Sequence, residues 1–271
     1  MSTRTPRIRP ARKRFGQHFL EPAWVDKVVR AIEPAAGDTF LEIGPGRGAL
    51  TWPLAARAGR VVAFEIDRDL VADLDRDRPA NATIVAGNFL ETTATAIRAA
   101  LSDRDALRAI RVAGNLPYNV GSPILFRLIE LAEAGLPLAD AHLMLQREVA
   151  DRLVATPSTA DYGVLSVLIG HRAAVDRVLS LPPGAFRPAP KVRSALVRLR
   201  FHPPDPPVRD LRLFDAMVRR AFTRRRKMLD NALAPEHRRA LAAASIDGRR
   251  RPETLTLVEF ARLTEALAEP G

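Results

Sequence analysis

The short run Phe40-Leu41-Glu42-Ile43 ends abruptly in Gly44-Pro45-Gly46-Arg47-Gly48. A run of that length makes one strand, and three glycines in five residues force a sharp turn out of it. Ala49 to Ala58 then reads as a helix. Strand, glycine turn and helix in this order open a βαβ unit. The pattern recurs downstream. Arg60 to Ile66 (RVVAFEI) predicts a β-branched strand, Asp67 to Arg76 a charged helix and Thr83 to Ala86 a third strand. Ile110 to Ala113 predicts a strand ahead of Gly114-Asn115, Pro123 to Ala134 a helix, His142 to Leu145 a strand and Glu148 to Ala155 a helix. Upstream, Val25, Val28, Val29 and Ile32 recur at helical spacing before Pro34 and Gly37. Such alternation predicts an α/β fold with a parallel sheet covered on both faces. Val175 to Leu181 and Ser194 to Phe201 come last. In the latter, Ala195, Val197, Leu199 and Phe201 alternate with Leu196, Arg198 and Arg200, which predicts a partly exposed antiparallel strand.

The segment 202–208 (HPPDPPV) holds four prolines and predicts a linker, because proline has no N–H to give to a helix or ladder. Beyond it strand patterning stops. Leu213, Phe214, Met217, Val218 and Phe222 follow helical spacing, as do Leu257, Phe260, Ala261, Leu263 and Leu267. The expected organisation is a flexible basic arm over 1–14, an α/β domain over 15–201, the linker, and a small all-α domain over 209–271. No internal repeat is visible.

Charge and composition narrow the function. Forty-two Lys and Arg against thirty-one Asp and Glu leave +11, which suggests a polyanionic partner, with solubility as the plainer alternative. With no cysteine, disulfide frameworks, thiolate zinc sites, iron–sulfur clusters and cysteine nucleophiles are excluded, and a reducing compartment fits. The five histidines (18, 142, 171, 202 and 237) show no metal spacing, so His142 and His171 read as core or surface residues and no metal is expected. Ser166 lies in no nucleophile elbow. No apolar run approaches the ~18 residues of a membrane span. The N-terminus lacks a secretory signal's apolar core, and although it is Arg-rich and acid-free, Pro6 and Pro10 interrupt any amphipathic helix. These readings favour a cytoplasmic protein, with a monomer as the default.

Two motifs carry chemistry. Glu65 closes the strand after the glycine loop, 21 residues beyond Gly44, where a carboxylate can accept hydrogen bonds from a ribose diol. The loop lacks both the dinucleotide G-x-G-x-x-G and the Gly-Lys-Ser/Thr of a phosphate loop. Alone it is equally a tight strand–helix turn. With Glu65 in register, and an acid two residues before the first glycine, it looks like the S-adenosylmethionine site of a Rossmann-like methyltransferase. Asn115-Leu116-Pro117-Tyr118 follows a later strand. An Asn oxygen and a backbone carbonyl could accept the two N–H bonds of an exocyclic amine, and Tyr118 offers a ring for a base. By spacing alone, an Asn turn at a strand end fits as well.

The whole pattern resembles the ribosomal RNA adenine dimethyltransferase family, and its small-subunit branch most closely. The matching stretches are RFGQHFL (14–20), LEIGPGRGALT (41–51), VVAFEIDRDL (61–70), AGNLPYNVGSPILF (113–126), LMLQREVADRLVA (143–155), DYGVLSV (161–167), PPGAFRPAPKVRSALVRL (182–199) and AFTRRRKMLDNAL (221–233). The resemblance implies a class I, Rossmann-like S-adenosylmethionine-dependent methyltransferase with a small helical C-terminal domain. It implies dimethylation of two adjacent adenosines in a 3′-terminal hairpin loop of small-subunit rRNA, within an immature subunit. His18 and Leu20 would touch the methionine end of the cofactor, Gly44 and Gly46 pass beneath it, and Glu65 hold its ribose. Asn115 would serve cofactor and target, Leu116, Pro117 and Tyr118 would complete the catalytic tetrad, and Phe186 would stack on the adenine opposite Tyr118. Two departures stand out. His18 replaces the family's usual Asn, and Asn88 replaces its usual Asp, which predicts weaker cofactor binding through loss of a charge-assisted bond. Six cations between Arg219 and Lys227, among them Arg224, Arg225 and Arg226, predict a phosphate-contacting helical surface. The Arg249-Arg250-Arg251 cluster fits RNA contact or solvated charge equally. The large-subunit branch, and an assembly factor with a vestigial site, remain as competing readings.

Overall fold

A computed structural model describes residues 18–101, 109–233 and 238–268. The basic arm over 1–14, the start of the RFGQHFL stretch and His237 lie outside the described residues. The elements in chain order are β1 (Phe19–Leu20), α1 (Pro22–Ile32), β2 (Thr39–Ile43), α2 (Thr51–Ala55), β3 (Arg60–Glu65), α3 (Arg68–Asp77), β4 (Ala82–Ala86), α4 (Ala94–Ala100), β5 (Ile110–Asn115), α5 (Gly121–Glu133), β6 (Leu138–Gln146), α6 (Arg147–Leu153), α7 (Val164–Gly170), β7 (Ala173–Leu181), β8 (Phe186–Arg187), β9 (Ser194–Phe201), α8 (Leu211–Thr223), α9 (Leu229–Ala232), α10 (Arg238–Ala243) and α11 (Leu257–Ala268).

Seven strands form one sheet in the order β4-β3-β2-β5-β6-β9-β7, and β1 pairs with β8 in a small separate ribbon. β2 is parallel to β3 on one side and to β5 on the other, while β4 and β6 extend the parallel run outward. β9 is antiparallel to both neighbours, β6 and β7. Chain order therefore reverses between β2 and β5, the place where an open α/β sheet leaves a crevice beyond its strand ends.

Alternation along the strands builds two cores. Leu41, Ile43, Val62, Phe64, Val112, Leu143, Val197 and Leu199 pack on one face. Phe40, Val61, Ala113, Met144 and Leu196 pack on the other, beneath α1. A third cluster joins Tyr162, Val167 and Leu168 to Phe214, Met217, Leu241 and Phe260 of the C-terminal helices. Those helices lean directly on α7, and Arg219 lies over the Phe126 ring of α5 at 4.6 Å. The proline segment 202–208 is irregular, and the His171 ring holds it through the Pro206 carbonyl at 2.6 Å while stacking on Phe214 at 4.2 Å.

β9 is the expected antiparallel strand, paired on both sides, and its exposure is confined to the second half, where Arg198 and Arg200 pair with Asp140 at 2.9 Å and Asp176 at 2.5 Å. Other expectations change. The helix after the glycine loop is only Thr51–Ala55, since residues up to Leu50 are still turning. α7 escaped the periodicity reading because its run VLSVLIG is apolar on nearly every side.

Far from the loop end of the sheet, Arg111 organises a matched network of buried charge. The Arg111 guanidinium donates to Asp140 and Asp38 and to the Ile32 and Glu33 carbonyls, and Arg198 also reaches Asp140. His142 lies against this network, 1 % exposed, with Nδ1 3.8 Å from Asp140. Burial pushes its pKa down to about 4; the Asp140 charge opposes this, and Arg111 and Arg198 reinforce it. In the unfolded chain this imidazole takes up its proton near 6.5, so the unfolded state binds more protons between about pH 6.5 and 4. His142 should therefore cost stability as pH falls through that window, on the order of 3 kcal/mol at the acid end. Urea unfolding of wild type and His142→Gln across pH 4–7 checks this: the variant should lose that part of the acid slope.

Candidate active site

The C-terminal ends of β2, β3 and β5 converge on a cleft of about 310 Å³. Parallel register fixes what meets there. Ile43 pairs with Phe64 and with Gly114, so the glycine loop, Glu65 and Asn115 emerge side by side. Gly44 and Gly46 both adopt the left-handed backbone (φ +68° and +60°), which a side chain would strain. An added Cβ on Gly44 would enter open space, whereas on Gly46 it would press on the Phe19 ring at 3.2 Å. The loop thus presents bare backbone to the cleft at Gly44 and to the β1 ribbon at Gly46.

Glu65 pins this loop. One carboxylate oxygen accepts the Gly46 N–H at 3.0 Å, and the other accepts the Asp67 N–H at 2.9 Å. Burial raises its pKa, although both N–H bonds favour the ionised form. Glu42, 1 % exposed, also lines the cleft. Burial pushes its pKa up to about 8; the nearby Thr51 hydroxyl opposes the shift and the Glu65 charge adds to it. Glu42 Oε2 and Thr51 Oγ are both buried, and neither has a hydrogen-bond partner in the structure. Glu42 and Glu65 both border the cleft and burial raises the pKa of each, so a cation bound beside them would draw both toward the ionised form.

Asn115 has a defined orientation. Its Nδ2 donates to the His18 carbonyl at 2.7 Å, which leaves Oδ1 as the acceptor on the other side. Leu116 is buried beside it, and Pro117 lines the cleft wall. The Tyr118 hydroxyl bonds Ser194 Oγ at 2.7 Å, and burial raises its pKa against that bond. His18 stacks on the Tyr118 ring at 5.4 Å and 26° between planes, and its Nδ1–H donates to the Pro188 carbonyl at 2.6 Å. Leu20 completes the ribbon side of the cleft. Asn88 reaches it from the turn after β4, with Oδ1 accepting the Leu90 N–H at 3.2 Å and Nδ2 donating to Glu91 at 2.7 Å.

Phe186 departs from its expected place. It is 1 % exposed, pairs through β8 with Leu20, and packs in the core beneath α1. It is not part of the cleft wall, and the ring stacked on Tyr118 is His18. A core phenylalanine and a stacking phenylalanine look alike in sequence. The Arg224–Lys227 cations also differ from expectation: α8 ends at Thr223, so they occupy the turn after it and not a helix. Arg224, Arg226 and Lys227 are exposed, while Arg225 leans back on the Thr159 carbonyl at 3.2 Å. Glu42 and Ser194 received no role from the sequence. The signal for Glu42 was present, an acid two residues before Gly44; Ser194 becomes visible only when β9 is placed beside β6.

Comparison with known proteins agrees with this geometry. The family model for ribosomal RNA adenine dimethylase matches residues 8–269. The chain belongs to that family. The dimethylase is 42 % identical over 264 residues to ribosomal RNA small subunit methyltransferase A of Pseudomonas fluorescens, covering 96 % of this chain and 94 % of the relative. It is 44 % identical to the protein of the same description from Bordetella petrii, covering 96 % and 97 %. Among solved structures it resembles a dimethyladenosine transferase from Plasmodium falciparum in fold (TM-score 0.71, 23 % identity, 91 % and 96 % covered). It also resembles the 23S rRNA methyltransferase ErmE (TM-score 0.65, 26 % identity, 93 % and 100 % covered). The dimethylase has a class I, Rossmann-like methyltransferase fold and uses S-adenosylmethionine. The cleft fits that group, a cationic nucleoside, through the open space at Gly44, the orphaned Glu42 oxygen and Glu65.

Asn88 carries a prediction that the structure sharpens. An Asp at this position would set its carboxylate against Glu91, where Nδ2 now donates. Asn88→Asp alone should therefore tighten cofactor binding little, and Asn88→Asp with Glu91→Gln should tighten it several-fold. Calorimetric titration of S-adenosylmethionine into the three proteins checks this.

Proposed function

We propose that the dimethylase places two methyl groups on the exocyclic amine of each of two adjacent adenosines in a 3′-terminal hairpin loop of small-subunit rRNA, within an immature subunit. The observation that carries this reading is the oriented Asn115 amide. With Nδ2 held by the His18 carbonyl, Oδ1 is free to accept one N–H of an amine. The Leu116 carbonyl is the second acceptor. When bound, S-adenosylmethionine supplies a methyl carried on a sulfonium. Glu42 and Glu65 would hold the cationic nucleoside, Gly44 would let it lie against backbone, and Leu20, His18 and Asn88 would line its site.

The adenine amine is a poor nucleophile, because its lone pair is delocalised into the ring. Accepting both of its N–H bonds favours a more pyramidal nitrogen with the lone pair directed out of the base plane. Pro117 stiffens the tetrad and has no N–H to compete. Tyr118, its hydroxyl tied to Ser194, gives a fixed ring for the base once the His18 ring gives way. No strong base is required before attack, since the proton can leave after the methyl has transferred. The rate comes mainly from orientation and electrostatics, worth several kcal/mol.

The small subunit is favoured over the large because relatives 42–44 % identical over nearly the whole chain carry the small-subunit description. Residues 209–271 are assigned to RNA contact through the turn Arg224, Arg225, Arg226 and Lys227, in which Arg224, Arg226 and Lys227 face solvent and Arg225 leans back on Thr159. Among the described residues no helix is long and apolar enough to cross a membrane. A cytoplasmic monomer acting during ribosome biogenesis is the simplest assignment.

The test is a labelled-methyl assay offering unmethylated small subunits, large-subunit RNA or no RNA, followed by mapping of the modified bases. Dimethyladenine confined to small-subunit rRNA, and lost by at least about a hundredfold in Asn115→Ala, is expected. Label on large-subunit RNA, or none despite subunit binding, would refute the assignment.

A further inference from the structure

The sheet edge that carries the cleft continues past it. β6 and β7 end there, and β9, being antiparallel, begins there. Gln146 faces Ser194 across one pair, and Leu181 faces Ser194 across the next. A depression of about 430 Å³ opens at this point, lined by Arg147, Arg177, Arg193, Ser180 and Ser194. Ser194 is the same residue whose hydroxyl bonds Tyr118. The depression and the cleft are thus joined by one side chain, a few strand spacings of about 4.8 Å apart.

The charge is unbalanced and pre-arranged. Asp151 accepts from Arg147 at 3.2 Å and from Arg177 at 2.6 Å, holding both guanidinium groups at the rim. Among the described residues the Arg193 guanidinium meets no carboxylate, and its backbone carbonyl accepts the Arg147 N–H at 2.9 Å. Three arginines against one aspartate leave about two positive charges, with the exposed Ser180 on the same lining. A neighbouring depression shares Arg147 and Arg193 but adds Glu148, Asp151 and Asp161, which makes it a poor place for an anion. Forked guanidinium donors next to a hydroxyl match the oxygens of a phosphate diester. The sequence reading did not single these arginines out, because they come from three separate segments.

We infer that Arg147, Arg177 and Arg193 form a phosphate-binding site beside the methyl-transfer cleft. It takes a backbone phosphate of the RNA strand that carries the target adenosine, one or two nucleotides from it. The inference rests on the RNA-methylating reading above. Its role is positioning: a strand clamped here is held in register while its base enters the cleft beside Tyr118. The C-terminal turn would then be a second, more distant contact on the same RNA.

The test compares wild type with Arg177→Gln/Arg193→Gln, a protein that keeps Arg147 and Asp151. Filter binding of unmethylated small subunits over a salt series should show a slope lower by roughly 0.7–0.9 per lost contact. KM for the subunit should rise about tenfold, with the effect falling on KM and not kcat, and S-adenosylmethionine affinity should be unchanged. Arg76→Gln, on the opposite sheet edge at the end of α3, controls for net charge. Arg224→Ala/Arg226→Ala, in the turn after α8, should lower the slope independently and additively. An unchanged slope and KM in the double variant, or an equal change in Arg76→Gln, would overturn the site. Binding is read without methyl transfer, so failure of the enzyme reading would show separately, as absent label with the wild-type protein.

Discussion

Parallel pairing of β2 with both β3 and β5 is the constraint on which the site depends. It brings the ends of three strands to one edge, and each end carries one chemical part: a bare glycine loop, an acid, an oriented amide. Glu65 then locks the loop by accepting from Gly46 and also holds the backbone N–H of Asp67, whose own side chain caps the next helix. Loss of register by one residue would turn Glu65 and Asn115 to the wrong face. The antiparallel β9 extends the same edge outward and supplies Ser194 to Tyr118, so the base-binding side of the cleft depends on the second half of the sheet.

The two ends of the sheet treat buried charge in opposite ways. Around Arg111 every acid has a guanidinium partner and the network supports the fold. At the cleft end Glu42 is buried without one, and its carboxyl is pushed up to about 8. Leaving a buried acid unmatched costs stability. A cationic cofactor bound there would favour ionisation of Glu42, so the cost of burying that charge would be offset by the cofactor's own. The basic surface is divided similarly. Arg200 and Arg198 are consumed by strand pairing, whereas Arg193 and the turn at Arg224–Lys227 face outward.

The fold was largely legible because strand and helix periods differ and glycine marked the first turn. The strand positions, the sheet's two-sided burial and the helical C-terminal region all followed from that. β9 was legible as a partly exposed antiparallel strand, but its interior place and the acids its arginines meet were not, because those partners lie on adjacent strands far away in sequence. α7 was missed because an element buried all round shows no period. At the site, Gly44, Gly46, Glu65, Asn88 and Asn115 were visible as motif residues that end strands or follow them. The burial of Phe186 was not legible, because the chain cannot say which way a two-residue strand turns its side chains. The His18–Tyr118 stack and the Arg147, Arg177, Arg193 depression arise only from tertiary contact, and no local pattern announces them.

The central claim is that the His18 carbonyl orients Asn115 so that its Oδ1, not its Nδ2, meets the target amine. Single-turnover methyl transfer by Asn115→Asp tests it most directly. That variant keeps an oxygen acceptor of the same length but loses the donor to His18, and its charge would face the carbonyl 2.7 Å away. The account predicts a rate lower by about tenfold or more, with cofactor binding retained well enough to saturate. A wild-type rate in Asn115→Asp would contradict it, because an acceptor would then suffice without the contact that aims it.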